Sequence, residues 1–310
     1  MRVRPAAVDA RVTRLEPGRF GSDARRLRVL LRVVECLDLT YLEDDGTAQG
    51  VRALCATARQ PVSPHLVRAV GGAAAIRVAA VCVHHRFLPV ARTALAGSGI
   101  PVAVVSADFP HGGGPLAGRL AEIRASVAAG AGEIDAVIPR AHVLAGEWQA
   151  LYDEVRGYRA ACGGVTLKAI LATGALASLD DVARASAVCL MAGADFLKTS
   201  TGREVVNATL PAGVVMARTI RAYRRRTGAH AGLKPAGGIT TTGQALAWAR
   251  LVERELGIRA LNPASFRLGA SRLLEDIDRA LARAGLETKP PSSRAGGEPQ
   301  RRLHAEGDNR

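Results

Sequence analysis

The chain is poor in aromatic residues: Phe, Trp and Tyr make up 4% of its 310 positions. A core without large rings must be filled by Ala, Val, Leu and Ile, which suits the layered aliphatic interior of a barrel. Long apolar runs are missing too. No window approaches ~18 uncharged apolar residues, so no membrane span is expected. The charged N-terminus has no apolar stretch behind it, so no secretory signal is expected either. Cys36, Cys55, Cys82, Cys162 and Cys189 lie far apart, with no C-x-x-C pair. That pattern points to reduced thiols and a cytoplasmic location. His84-His85 and the other, scattered histidines lack metal-ligand spacing, which argues against a zinc-dependent enzyme.

Acidic residues are outnumbered, giving a net charge of +14. Such an excess opens a nucleic-acid reading. The arginines, however, sit in an N-terminal stretch (Arg2, Arg4, Arg11, Arg14, Arg19), on one helical surface (Arg218, Arg221, Arg224, Arg225, Arg226) and in the tail (Arg301, Arg302, Arg310). No aromatic-rich strand or zinc-finger spacing accompanies them. A solvated basic surface is the expectation, and neither nucleic acid nor a membrane is expected as a partner.

Between the two ends, short apolar runs alternate with Ala/Arg-rich stretches of helical character. The runs are Val33–Asp38, Ala79–Val83, Val102–Ser106, Glu133–Ile138, Thr166–Leu171, Phe196–Ser200, Gly232–Ala236 and Arg259–Asn262. Eight β-α units with non-alternating strands imply a parallel sheet covered by helices, and eight strands close a (β/α)8 TIM barrel. The alternative, an open doubly wound sheet, needs a glycine-rich turn after its first strand, and Asp38-Leu-Thr-Tyr-Leu-Glu offers none. The expected organisation is a basic N-terminal extension over 1–28, one barrel domain over 29–286, and a polar, disordered tail over 287–310.

Several of these strands carry charge. Three of the few lysines, Lys168, Lys198 and Lys234, lie inside apolar strand sequence, as do Asp38 and Asp135. An unpaired buried charge costs several kcal/mol, so such groups persist only when paired, neutralised or needed. A bracing ion-pair network would explain one Lys–Asp pair. Three lysines against so few acids leave positive charge uncompensated, and a lysine crowded by cations yields its proton and becomes a nucleophile. The loops after the sixth, seventh and eighth strands read Thr199-Ser-Thr-Gly-Arg203, Pro235-Ala-Gly-Gly238 and Phe266-Arg-Leu-Gly-Ala-Ser-Arg272. Glycine allows close backbone approach, and N–H groups at helix starts attract phosphate, so these loops are candidate phosphate binders.

These residues carry a close resemblance to the deoxyribose-phosphate aldolase family. The matching segments include Leu37-Asp-Leu-Thr40, Val81-Cys-Val83, Phe109-Pro-His-Gly112, Gly132-Glu-Ile-Asp135, Ala192 to Gly202, Val206-Asn-Ala-Thr209 and Lys234-Pro-Ala-Gly-Gly238, with Phe266 to Leu273 closing the series. Coverage runs from Val29 to Leu286. The resemblance implies reversible cleavage of 2-deoxy-D-ribose 5-phosphate to acetaldehyde and D-glyceraldehyde 3-phosphate, a step in deoxyribonucleotide breakdown, with no cofactor and no metal. By position, Lys198 resembles the Schiff-base lysine, Lys234 the lysine that keeps it deprotonated, and Asp135 the acid/base. Lys168, Asp38 and Thr201 take supporting roles, and Gly202, Arg203, Gly237, Gly238, Gly269 and Ser271 the phosphate-binding ones. The implied partner is a small phosphorylated sugar; a homo-oligomer is compatible with the resemblance.

The chain departs from the family pattern in places. Arg203 stands where many relatives have lysine, Arg272 replaces a small hydroxyl residue beside Ser271, and Ala172-Thr-Gly stands where many have Glu-Thr-Gly. The tail lacks the terminal tyrosine that some relatives place over the site. Two other readings stand beside this one. One is a lysine-dependent barrel aldolase acting on a ketose phosphate, the other a non-catalytic barrel binding nucleic acid.

Overall fold

The runs Val102–Ser106 and Glu133–Val137 form strands buried at every position, as parallel strands covered on both faces must be. A computed structural model of the chain describes residues 2–15, 22–72 and 76–287. Its strands are β1 (Leu37–Tyr41), β2 (Ala80–His84), β3 (Val102–Ser106), β4 (Glu133–Val137), β5 (Thr166–Ile170), β6 (Phe196–Lys198), β7 (Gly232–Lys234) and β8 (Leu268–Ala270). Neighbours pair in parallel in the order β7-β6-β5-β4-β3-β2-β1-β8. Parallel bridges Leu233–Phe266 and Ala236–Gly269 join the two ends, and the Leu233 and Arg267 N–H groups donate to Ser265 O and Leu233 O, each at 3.0 Å. The ring is closed. This is the eight-stranded β/α barrel that the sequence implies.

Helices α1 (Pro5–Thr13) and α2 (Asp23–Glu35) precede the barrel. Its outside is covered by α3 (Ala48–Arg59), α4 (Pro64–Ala69), α5 (Leu88–Ala94), α6 (Leu116–Ala128), α7 (Arg140–Ala145), α8 (Trp148–Cys162), α9 (Leu179–Met191), α10 (Leu210–Thr227), α11 (Thr242–Leu256) and α12 (Leu273–Glu287). Five of these start on side-chain caps, three of them the helices after β5, β6 and β7. Ser178 caps α9, Thr209 caps α10 ahead of a proline, and Thr241 with Gln244 forms a capping box on α11. Side-chain caps of this kind satisfy N–H groups that lack helical partners. They also fix where the loops after β5, β6 and β7 end. Among the described residues no helix is long and apolar enough to cross a membrane.

Two strands lie elsewhere than expected. Val33 and Val34 belong to α2, which starts at the Ser22 cap and buries Val29, Leu30, Leu31, Val33 and Val34; the first strand begins at Leu37 instead. A short apolar run fits a buried helix face and a strand equally well, and here the cap decides. The eighth strand is Leu268–Ala270, whereas Ile258–Ala260 is a single 3-10 turn. The sequence of this strand resembles a loop because it is three residues long, centred on Gly269 and preceded by Arg267. The boundary expected at residue 28 falls inside α2, whose Arg25 pairs with Glu253 of α11 at 3.4 Å. Within the expected extension, α1 buries Val8, and Arg11 bonds Glu255 at 2.6 Å. Glu287 ends α12; the rest of the expected tail, 288–310, lies outside the described residues.

Candidate active site

Strand registry brings the charged residues together. Asp135 sits opposite Lys168, and Lys198 opposite Lys234, so adjacent strands send these side chains to one interior. The Lys168 ammonium lies 3.0 Å from Asp38 Oδ2, 2.5 Å from Glu133 Oε2 and 2.9 Å from Asp135 Oδ1. Lys234 reaches Asp38 Oδ2 at 2.5 Å and Asp135 Oδ2 at 2.6 Å, and Lys198 reaches Asp135 Oδ2 at 2.8 Å. Below them Arg267 forks onto Asp38 at 2.7 Å and Glu133 at 2.8 Å. Burial by itself opposes charge on every member of this set. At Asp38, Asp135, Lys168 and Lys234 opposite charges outweigh it. Asp135 is held well below the usual carboxylate range by Lys168, Lys198 and Lys234, and Asp38 is lowered by Lys168, Lys234 and Arg267. Lys168 is raised well above the usual ammonium range by Asp135, Asp38 and Glu133. Asp135 and Asp38 likewise raise Lys234.

The set contains four cationic side chains, Lys168, Lys198, Lys234 and Arg267, but only three carboxylates, Asp38, Glu133 and Asp135. One cation is in excess, and a buried excess charge is expensive. Lys198 is the one with the fewest carboxylate contacts. It has a single carboxylate partner, through an oxygen it shares with Lys234. It is 3% exposed while Lys168 and Lys234 are fully buried, and it is the member of the set that opens onto a cavity. Loss of one proton there brings the interior to balance and yields a free amine facing that cavity.

The cavity is about 410 Å³ and is walled by the loops after β6, β7 and β8. Thr201, Gly202, Arg203, Gly237, Gly238, Gly269, Ser271 and Arg272 all border it, so the structure gathers the expected phosphate-binding residues around one space. Thr199 couples two of these loops, its hydroxyl accepting from the Ala236 N–H at 3.0 Å. Two glycines are required by space. A side chain at Gly237 would press on Asn207 Oδ1 at 2.6 Å, in a backbone with φ of +84°. One at Gly269 would meet Ala236 Cβ at 2.8 Å and Lys234 Cε at 3.3 Å, in the gap through which Lys234 reaches Asp135. Larger cavities of about 570 and 820 Å³ lie beside His84–Arg86 and beside Arg25–Arg32, but no interior lysine borders them.

Two members of the network are not among the expected site residues. Glu133 lies two positions before Asp135 on a strand, hence on the same face, a period-two signal available in the sequence. Arg267 has the same relation to Gly269, but was hidden by the reading of its segment as a loop. Together they resolve the Ala172 departure. Lys168 needs no carboxylate from that position because Asp38, Glu133 and Asp135 surround it. Ala172 is buried with φ of +51°. Cys82 lies beside the network, its thiol 3.8 Å from Asp135 Oδ2, and burial raises its pKa. No group of three or more His, Cys, Asp or Glu among the described residues could hold a metal ion.

Comparison with known proteins gives one consistent result. Residues 32–256 match the model of the family described as DeoC/LacD family aldolase. The chain is 48% identical over 284 residues to a mouse protein named deoxyribose-phosphate aldolase, covering 91% of this chain and 89% of that one. It is 49% identical to the human protein of the same name over 255 residues, or 81% and 80% of the two chains. Among solved structures, an apo form from Toxoplasma gondii ME49 superposes with a TM-score of 0.70 at 24% identity, covering 83% of this chain and 98% of that one. The tetrameric deoxyribose phosphate aldolase of Aeropyrum pernix superposes with a TM-score of 0.59 at 21% identity, covering 84% and 98%. These two likenesses speak for the fold.

Proposed function

Since the chain belongs to the DeoC/LacD family of aldolases, we propose that it cleaves 2-deoxy-D-ribose 5-phosphate reversibly to acetaldehyde and D-glyceraldehyde 3-phosphate. The observation that carries the reading is Lys198: the amine at the cavity floor belongs to a buried set that balances only when one cation gives up its proton. The 48% identity to the mouse aldolase, over 91% of this chain and 89% of that one, supports the substrate.

The chemistry follows from these positions. The Lys198 amine attacks C1 of the open-chain sugar, and loss of water from the carbinolamine gives an iminium. The iminium draws electrons from the C2–C3 bond. Asp135, anionic at rest, takes the proton of the C3 hydroxyl through a water as that bond breaks. Glyceraldehyde 3-phosphate departs, leaving an enamine on Lys198. Protonation of the terminal enamine carbon and hydrolysis of the resulting iminium release acetaldehyde and restore the amine. Lys234 stays an ammonium and disfavours a second charge at Lys198, while Lys168 and Asp38 hold Asp135 in place. Thr201, Gly202, Arg203, Gly237, Gly238, Gly269 and Ser271 form the wall that receives the phosphate, aligning the reacting bond. A small phosphorylated sugar is thus the partner, and the free, buried thiols support a cytoplasmic setting.

Two measurements test this. A coupled assay should detect glyceraldehyde 3-phosphate released from deoxyribose 5-phosphate. Acetaldehyde with borohydride should fix a two-carbon unit on Lys198; finding it on Lys168 or Lys234 would overturn the assignment.

A further inference from the structure

A phosphate needs a cation, and two arginines border the cavity. Arg203 is already engaged. Its guanidinium donates to Leu42 O at 2.6 Å and pairs with Asp44 at 3.1 Å. The neighbouring N–H groups of Thr201 and Gly202 are engaged as well, each donating to the Glu204 carboxylate at 3.1 Å. The loop after β6 therefore satisfies its own strongest donors. Arg272 stands on another loop, beside Gly269, Ala270 and Ser271 in the same cavity wall. No described residue pairs with its guanidinium or accepts a hydrogen bond from it.

The position of Arg272 is unfavourable on local grounds. It immediately precedes α12, where a short hydroxyl or carboxylate side chain would cap the helix. A cation there also opposes the positive end of the helix dipole. Places where a chain breaks such local rules without an internal compensation tend to be functional. An anion in the cavity supplies the compensation, since the guanidinium and the positive helix end both favour it.

We infer that Arg272 is the residue that recognises the charge of the substrate phosphate, with Arg203 acting as a tether between the loops after β1 and β6. The inference rests on the sugar-phosphate reading above and refines it. It makes Arg272 a specificity determinant that sets the preference for phosphorylated over unphosphorylated sugar.

The test compares wild type with Arg272→Ser, Arg272→Gln and Arg203→Ala on 2-deoxyribose 5-phosphate and on free 2-deoxyribose, with inorganic phosphate as a competitive inhibitor. Serine at 272 favours the helix cap, and circular dichroism checks that each variant is folded. Loss of a charge-assisted contact should raise KM for the phosphorylated sugar and the Ki of phosphate by about 10- to 100-fold in both Arg272 variants. The change on free deoxyribose should be several-fold smaller, and the salt dependence of KM should flatten. Arg203→Ala should have the lesser effect on Ki. The inference falls if the Arg272 variants keep wild-type KM and Ki, if they lose equally on both sugars, or if Arg203→Ala carries the loss. Absence of turnover on the phosphorylated sugar by wild type would sink the aldolase reading instead, and phosphate affinity measured by calorimetry would still decide between the two arginines.

Discussion

Lys198 and Lys234 share a single oxygen, Asp135 Oδ2, at 2.8 and 2.6 Å. Two ammonium groups cannot both use it fully, so the state of one lysine bears directly on the other. Asp135 is thus the counter-ion of both the proposed nucleophile and its neighbour, within hydrogen-bond reach of each amine.

Replacing Asp135 with Asn keeps the shape and removes the charge. Three lysines then lose a shared counter-ion in a buried site, which should destabilise the fold by ~3–5 kcal/mol. Turnover should fall by about 10²–10⁴-fold for want of the base. Borohydride should still trap acetaldehyde on Lys198, because attack needs only the amine. Urea melts and mass spectrometry separate the effects; loss of trapping in a folded variant would mean that Asp135 serves imine formation instead.

Lys234→Leu removes the neighbouring cation. Lys198 should then hold its proton more tightly, and the rising limb of the pH–rate profile should move to higher pH. A one-unit change in proton affinity corresponds to about tenfold less free amine at neutral pH. A pH–rate profile superimposable on wild type would show that the two lysines do not communicate.

Asp276 anchors α12 to the start of α11, accepting from the Thr242 N–H at 2.7 Å and its hydroxyl at 2.6 Å. The hydrogen bonds from the Thr242 side chain and backbone lower its pKa to about 2. A lowered carboxylate contributes stability that is present above its unfolded value, ~3.9, and is lost as pH falls through the folded one. Asp276→Asn should therefore cost stability at pH 6 and abolish part of the decline between about pH 4 and pH 2. Parallel stability–pH curves for variant and wild type would remove this linkage.

Glu255 gathers Arg11 at 2.6 Å, Arg221 at 3.1 Å and Arg218 at 3.5 Å. Through it α1 is tied to α10 and α11. Glu255→Gln should weaken that attachment by about 1–3 kcal/mol and speed tryptic cleavage after Arg11 and Arg14, with aldolase turnover retained. Cleavage at the wild-type rate would place the hold of α1 in its other contacts, at Val8 and in the bonds from Arg11 to Arg254 O and from Val3 N–H to Asp180.

The middle of the barrel is legible in the sequence, because Val102–Ser106, Glu133–Val137 and Thr166–Ile170 are apolar runs bounded by glycine, polar or helical sequence. Its seam is not. Leu268–Ala270 is three residues long, too short for periodicity, and Val33 and Val34 fit a helix as well as a strand. The site shows the same division. Asp135, Lys168, Lys198 and Lys234 stand out because a charge inside a strand violates burial. The balance of charge does not, since it depends on Glu133 and Arg267 meeting across 134 positions of chain. The sequence alone suggests uncompensated lysines; the folded interior gives Lys168 three carboxylate contacts, Lys234 two and Lys198 a single shared one.

The closure of the ring at β7 and β8 has a consequence for how the chain is made. Asp38 emerges from the ribosome among the first interior groups and Arg267 as the last, yet they sit 2.7 Å apart. Until Arg267 arrives, Asp38 Oδ1 and Glu133 Oε1 lack the partner they have in the finished fold and must keep water about them. The interior can dry out only when synthesis is essentially complete.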